Sequence, residues 1–268
     1  MKLTMNRIDS LFAQKKEKIL TIYFTAGFPK LHDTRRILLA LQQAGADMVE
    51  IGIPFSDPLA DGPVIQQSSK QALDNGMSLR LLFEQLHDIR KEVHLPLILF
   101  GYLNVVLQFG LERFFEKCAE TGIDGLILPD LPLDEFKQDM EPLCKSTGIH
   151  FSFLITPETS DARIRQLDEA SSGFLYVVSS SSTTGKKKDL TSLQPYFQRI
   201  EAMQLKNPFL VGFGIHDHES FLQACRHSRG AVIGSAYIRT LQQAADIEQA
   251  TKDFVQQILS GNRVHAAP

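Results

Sequence analysis

Eight short runs, nearly all continuously apolar, recur along the 268 residues: Ile19 to Phe24, Met48 to Ile53, Leu95 to Phe100, Gly125 to Leu128, Ile149 to Ile155, Phe174 to Val178, Phe209 to Val211 and Ala231 to Ile233. A strand that alternates apolar and polar residues faces water on one side. A strand that is apolar throughout is buried on both faces, as in a parallel sheet covered by helices. Helical spacing fills the intervals: Thr34 to Gln43 repeats Ile37, Leu38 and Leu41, and Leu79 to Val93 repeats Leu82, Phe83, Leu86 and Ile89. Gly45, Gly122, Gly148 and Gly173 each fall just before a strand, where a left-handed residue ends a helix and releases the chain into the sheet. The segments Ala44-Gly45-Ala46-Asp47 and Thr121-Gly122-Ile123-Asp124 read as one module used twice.

Eight β/α units joined by right-handed crossovers predict an α/β fold of the closed (β/α)8 TIM-barrel type. A doubly wound open sheet competes, but its phosphate loop follows the first strand as GxGxxG, and Thr25-Ala26-Gly27-Phe28-Pro29 stands there instead. Length alone permits two domains, yet barrels of roughly 250 residues form one unit. No linker or shift in composition divides the chain, so a single domain is expected over residues 1–268.

With 43% hydrophobic and 22% charged residues the composition is globular, and a net charge of -3 supplies no broad positive field. Nucleic acid and anionic membrane are therefore not expected partners. Cys118, Cys144 and Cys225 are odd in number and widely spaced, which reads as reduced thiols of a cytoplasmic protein. No apolar stretch has the length of a signal core or a membrane span. The eight histidines form no cluster with metal-ligand spacing, so no metal is expected.

Barrel active sites collect at the C-terminal ends of the strands. Glu50 lies inside Val49-Glu50-Ile51-Gly52-Ile53, where burial of a carboxylate is costly. One reading makes it a structural partner of a buried Lys or Arg. The other makes it a general acid or base whose pKa is raised by desolvation. The loop after it carries three prolines and two aspartates from Pro54 to Pro63. Its Asp61 reads equally as a catalytic group and as the cap of a helix starting near Pro63. Thr184-Gly185, Gly212-Phe213-Gly214 and Gly234-Ser235-Ala236 end the last three strands, where backbone N–H groups and a helix N-terminus form the recurrent phosphate pocket of barrels. Lys186, Lys187 and Lys188 read as a solvated loop and are left out of the site. Tyr102, Asn104 and Asp130 lie at the catalytic end but serve equally well as loop hydrogen-bonding groups.

The fourteen residues from Glu50 to Pro63, with Gly212-Phe213-Gly214-Ile215 and Gly234-Ser235-Ala236, closely resemble the tryptophan synthase alpha subunit family. The likeness begins at an extra N-terminal helix around Ser10-Leu11-Phe12 and runs to the last strand, leaving 261–268 as a disordered tail. It implies a carbon-carbon lyase that cleaves indole-3-glycerol phosphate to indole and glyceraldehyde 3-phosphate without a cofactor. By that resemblance Glu50 is the acid-base group, and Asp61 accepts the indole N–H and stabilises the cation formed when C3 is protonated. Gly185, Phe213, Gly214, Gly234 and Ser235 match phosphate positions, while Tyr23, Phe100, Tyr102, Leu128, Tyr176 and Thr184 fall near positions around the indole. The implied partner is the pyridoxal-phosphate beta subunit in an α2β2 complex, with the Pro54 to Asp57 loop as part of the contact.

One segment departs from the family. Its sixth loop often reads Ser-Arg-x-Gly-Val-Thr-Gly, whereas Ser179-Ser180-Ser181-Ser182-Thr183-Thr184-Gly185 stands here. Loss of the Arg and the inner Gly bears on loop closure and on coupling to a beta subunit. Two rival readings remain at the level of sequence: another phosphate-binding barrel enzyme, and a catalytically silent subunit that only activates a beta partner. A Schiff-base aldolase requires a lysine at a strand end, and no strand end clearly carries one.

Overall fold

The computed structural model describes residues 5–178, 193–212 and 214–261. The apolar runs become strands β1 (Ile19–Thr25), β2 (Met48–Gly52), β3 (Leu97–Phe100), β4 (Gly125–Ile127), β5 (His150–Phe151), β6 (Leu154–Ile155), β7 (Leu175–Val178), β8 (Phe209–Gly212) and β9 (Gly230–Ile233). Every pairing is parallel, and the order is β5-β4-β3-β2-β1-β9-β8-β7-β6. The run expected as one strand from Ile149 to Ile155 is thus divided, and its halves form the two ends of the sheet. Only Ser152 and Phe153 separate them. Ser152 N donates to Leu126 O at 3.1 Å and Tyr176 N donates to Phe153 O at 3.0 Å, so the run changes partner from β4 to β7 and closes the cylinder. The ladder breaks there because Phe153 N is taken by Ser171 Oγ at 3.2 Å.

Helices cover the outer face, and one apolar cluster extends from Ile8 to Ile258. Helix Thr34–Ala44 ends on Gly45 as expected, and Gly122 and Gly148 close their helices in the same left-handed conformation. Gly173 departs from expectation: its φ is +87°, but helix Asp161–Ala170 already ends on extended Ser171. The helix expected from Leu79 to Val93 stops at Gln85 and resumes as a short turn, Ile89–Lys91, after Asp88 at φ 60°. That break brings Arg90 onto the carbonyls of Gly122 and Leu95 and onto the Asp124 carboxylate.

The N-terminal end of the barrel is shut by the extra helix, Arg7–Gln14. Its Ile8 is wholly buried and occupies space that a Cβ on Gly125 would enter, at 2.9 Å. The two Asp modules work alike at this end. Asp47 accepts Leu20 N at 2.8 Å and the Lys15 ammonium, while Asp124 accepts Leu97 N at 2.8 Å and is paired with Arg7 and Arg90. Each aspartate ties the start of its strand to the neighbouring one. Among the described residues no helix is long and apolar enough to cross a membrane.

Candidate active site

Side chains two apart on a strand share a face, so Glu50 and Gly52 of β2 point the same way, into the barrel near its C-terminal end. Glu50 is completely buried, and neither carboxylate oxygen has a hydrogen-bond partner among the described residues. The reading of Glu50 as half of a structural ion pair therefore finds no partner among the described residues. Burial alone pushes its pKa up to about 8. A carboxyl held in this way is protonated at neutral pH and remains free to give its proton away.

Two glycines make room for the walls around it. A Cβ on Gly52 would lie 2.1 Å from Tyr23 Oη, and one on Gly212 would lie 2.3 Å from Tyr176 Oη. Each tyrosine ring thus crosses a neighbouring strand where only glycine lets it lie. Phe100 meets the Tyr23 ring edge-on, with centroids 5.6 Å apart.

Asp61 arrives from the loop after β2. Helix Pro63–Asp74 begins on Gly62 without a side-chain cap, so Asp61 is not the helix cap that its position permits. Its carboxylate instead accepts Tyr102 Oη at 3.0 Å. Tyr102 is fixed in turn: its hydroxyl accepts Ala60 N at 3.1 Å, and its ring stacks on Phe55 with centroids 5.1 Å apart. Asp61 is 4% exposed. Desolvation raises its pKa to about 6 while the Tyr102 hydrogen bond pulls it back down. The two carboxyls are held on opposite sides of neutrality, one protonated and one ionised.

Both open on a cavity of about 340 Å³ that Tyr23, Phe100, Tyr176, Gly214, Gly234 and Ser235 also line. Tyr102 acts on this space through Asp61, and Leu128, 2% exposed, stands outside the lining. Thr184, Gly185 and Phe213 lie outside the described residues. On the same cavity, helix Ser235–Gln243 starts at Gly234 with no side-chain cap among the described residues. Its first-turn N–H groups are free to bind an anion. Asp130, which sequence left open, accepts Leu103 N at 2.9 Å and serves its loop.

Sequence reasoning missed Ile65, Ile215, His216, Val232, Ala236 and Arg239 in the lining. Arg239 carried a readable signal, since it lies one helical turn beyond Ser235. The apolar members carried none, because nothing in the chain distinguishes an apolar residue that faces a substrate from one that faces the core. A larger cavity, about 770 Å³, opens at the other end of the barrel beside Asp9 and Glu201. Those carboxylates are engaged by His150 and His227, and that end of a barrel serves stability. Among the described residues no group of three or more His, Cys, Asp or Glu side chains is placed to hold a metal ion.

Comparison with known proteins extends this geometry. The chain is 54% identical to the tryptophan synthase alpha chain of Flavobacterium psychrophilum over 238 residues, covering 88% of this chain and 94% of that one. It is 51% identical to that of Parabacteroides distasonis over 253 residues, covering 94% and 98%. The fold superposes on the crystal structure of tryptophan synthase subunit alpha from Legionella pneumophila with a TM-score of 0.86 at 33% identity, over 95% of this chain and 97% of that one. A chain of the tryptophan synthase complex from Pyrococcus furiosus aligns with a TM-score of 0.82 at 31% identity, over 91% and 99%. The family model for the tryptophan synthase alpha chain matches residues 10–265, and on that match, nearly the whole length of the barrel, the chain belongs to the tryptophan synthase alpha chain family.

Proposed function

We propose that Glu50 and Asp61 divide the cleavage of indole-3-glycerol phosphate between them, Glu50 moving protons and Asp61 holding the indole nitrogen. As a member of its family the chain is a carbon-carbon lyase of tryptophan biosynthesis, releasing indole and glyceraldehyde 3-phosphate by a retro-aldol reaction. The observation that carries the division is the buried Glu50 carboxyl without a hydrogen-bond partner among the described residues, facing the same cavity as an Asp61 that Tyr102 helps to keep ionised.

Protonated Glu50 gives its proton to indole C3, which leaves the ring cationic. The ionised Asp61 carboxylate accepts the indole N–H and stabilises that cation. Glu50, now a carboxylate, takes the proton from the C3′ hydroxyl. The C3–C3′ bond breaks, its electron pair returns to the indole ring, and C3′ leaves as the aldehyde carbon. Glu50 ends protonated, so the cycle closes with no cofactor. Tyr23, Phe100 and Tyr176 pack the indole, and the amides of Gly214, Gly234 and Ser235 with the Ser235 hydroxyl hold the phosphate. Thr184, Gly185, Phe213 and Leu128 are assigned to the same pockets by family resemblance alone.

The family implies a beta-subunit partner, and the solved relatives include a tryptophan synthase complex. We assign an α2β2 assembly with the pyridoxal-phosphate beta subunit, a cytoplasmic location and one barrel domain over residues 1–268. Release of indole from indole-3-glycerol phosphate, followed with and without a beta subunit, tests the reading. Turnover is expected in both cases. No release above background even with the partner present would leave a silent activating subunit as the better account.

A further inference from the structure

A phosphorylated substrate brings a dianion into a cavity whose described lining already holds two carboxyls, Glu50 and Asp61. The N-terminus of helix Ser235–Gln243 offers only about half a positive charge. That is too little to offset a phosphate dianion, so a full cation is wanted at the same place. Arg239 is the one Lys or Arg among the described residues lining the cavity.

Its position suits that task. Arg239 follows Ser235 by four residues in the same helix, and residues so spaced lie on one helix face. Arg239 therefore sits one turn along the helix from the phosphate amides, on the face that lines the cavity. Two other surface arginines of the barrel are committed to carboxylates, Arg35 to Glu92 and Arg36 to Glu248. Arg239 has no hydrogen bond or ion pair among the described residues. The nearby imidazole is already occupied: His216 Nδ1 lies 2.8 Å from Gly214 O, and its Nε2 lies 3.4 Å from Asp217.

We propose that Arg239 is the counter-ion of the substrate phosphate, a positioning residue that selects a dianionic ligand and orients it while the carboxyls act on the indole end. The proposal rests on the reading that the phosphate binds at Gly234 and Ser235. An Arg or Lys at an exposed helical position ordinarily contributes little. Here the charge faces a partly enclosed space shared with two carboxyls, where a charge-assisted hydrogen bond to phosphate is substantially stronger.

The test compares Arg239→Gln and Arg239→Lys with wild type, in steady-state cleavage of indole-3-glycerol phosphate and in calorimetric binding of glycerol 3-phosphate. In the Gln variant KM and the glycerol 3-phosphate Kd are expected to rise about tenfold or more, with kcat within about twofold. The Lys variant is expected to recover most of the loss. Unchanged KM and Kd in the Gln variant would overturn the proposal, and so would a loss confined to kcat. Wild type that binds glycerol 3-phosphate but releases no indole would refute the lyase reading while leaving Arg239 to be judged by binding alone.

Discussion

The two ends of this barrel treat the same functional group in opposite ways. At the N-terminal end the carboxylates are saturated: Asp124 accepts Leu97 N and pairs with Arg7 and Arg90, and Asp168 accepts the backbone N–H groups of Lys206 and Asn207. At the C-terminal end Glu50 is more deeply buried than either and has no hydrogen-bond partner among the described residues, where Asp61 has the single Tyr102 hydroxyl. A buried carboxylate with several donors cannot easily change its protonation state, and so it holds strands together. One deprived of donors sits at a free-energy cost that the surrounding barrel must offset, and in return its proton stays mobile. Position along the barrel axis thus separates stability from chemistry.

The sharpest way to break this contrast is Glu50→Gln, which keeps the shape and removes the proton. Turnover is expected to fall by about a thousandfold or more, with glycerol 3-phosphate still bound. The same change should stabilise the fold in a pH-dependent way. The Glu50 pKa is raised in the native state from an ordinary 4.5 to about 8, so the unfolded chain loses this proton first. Native stability therefore declines as pH rises across that interval. Thermal melts should show the Gln variant drawing level with wild type near pH 5 and exceeding it by about 5 °C near pH 8.

Asp124→Asn is the converse experiment. It leaves Arg7 and the largely buried Arg90 without their carboxylate and should cost about 3 kcal/mol in denaturant unfolding. The kcat of the folded variant should stay close to wild type. A large loss of kcat without loss of stability would erase the distinction between the two ends.

Much of this was readable in the chain, for reasons that differ from place to place. The strands were legible because continuous apolar runs are what burial on both faces requires. The division of Ile149 to Ile155 was not, since a change of partner from β4 to β7 depends on where Leu126 and Tyr176 lie in space. The break at Asp88 was hidden for a similar reason, because the carbonyls that draw Arg90 in belong largely to later elements. Glu50 stood out as a carboxylate in an apolar strand. Asp61 stayed ambiguous because the choice between cap and site was made by Tyr102, which is 41 residues away. Arg239 carried a signal in its spacing of one helical turn from Ser235, but only the cavity lining gives that spacing a meaning.

A smaller change sharpens the contrast within the site. Tyr102→Phe removes the hydrogen bond that favours ionised Asp61 and should lower kcat/KM about tenfold near neutrality. If Asp61 owed its role to backbone position alone, steady-state rates would hardly change.

The most direct test of the central claim, that Glu50 starts protonated and Asp61 ionised, is the pH profile of kcat/KM for indole release. Activity should rise through about pH 6 as Asp61 loses its proton and fall through about pH 8 as Glu50 loses its own. In Tyr102→Phe the acid limb should move to higher pH and the alkaline limb stay in place. A profile with no alkaline limb, or an acid limb indifferent to Tyr102, would contradict the division of labour between the two carboxyls.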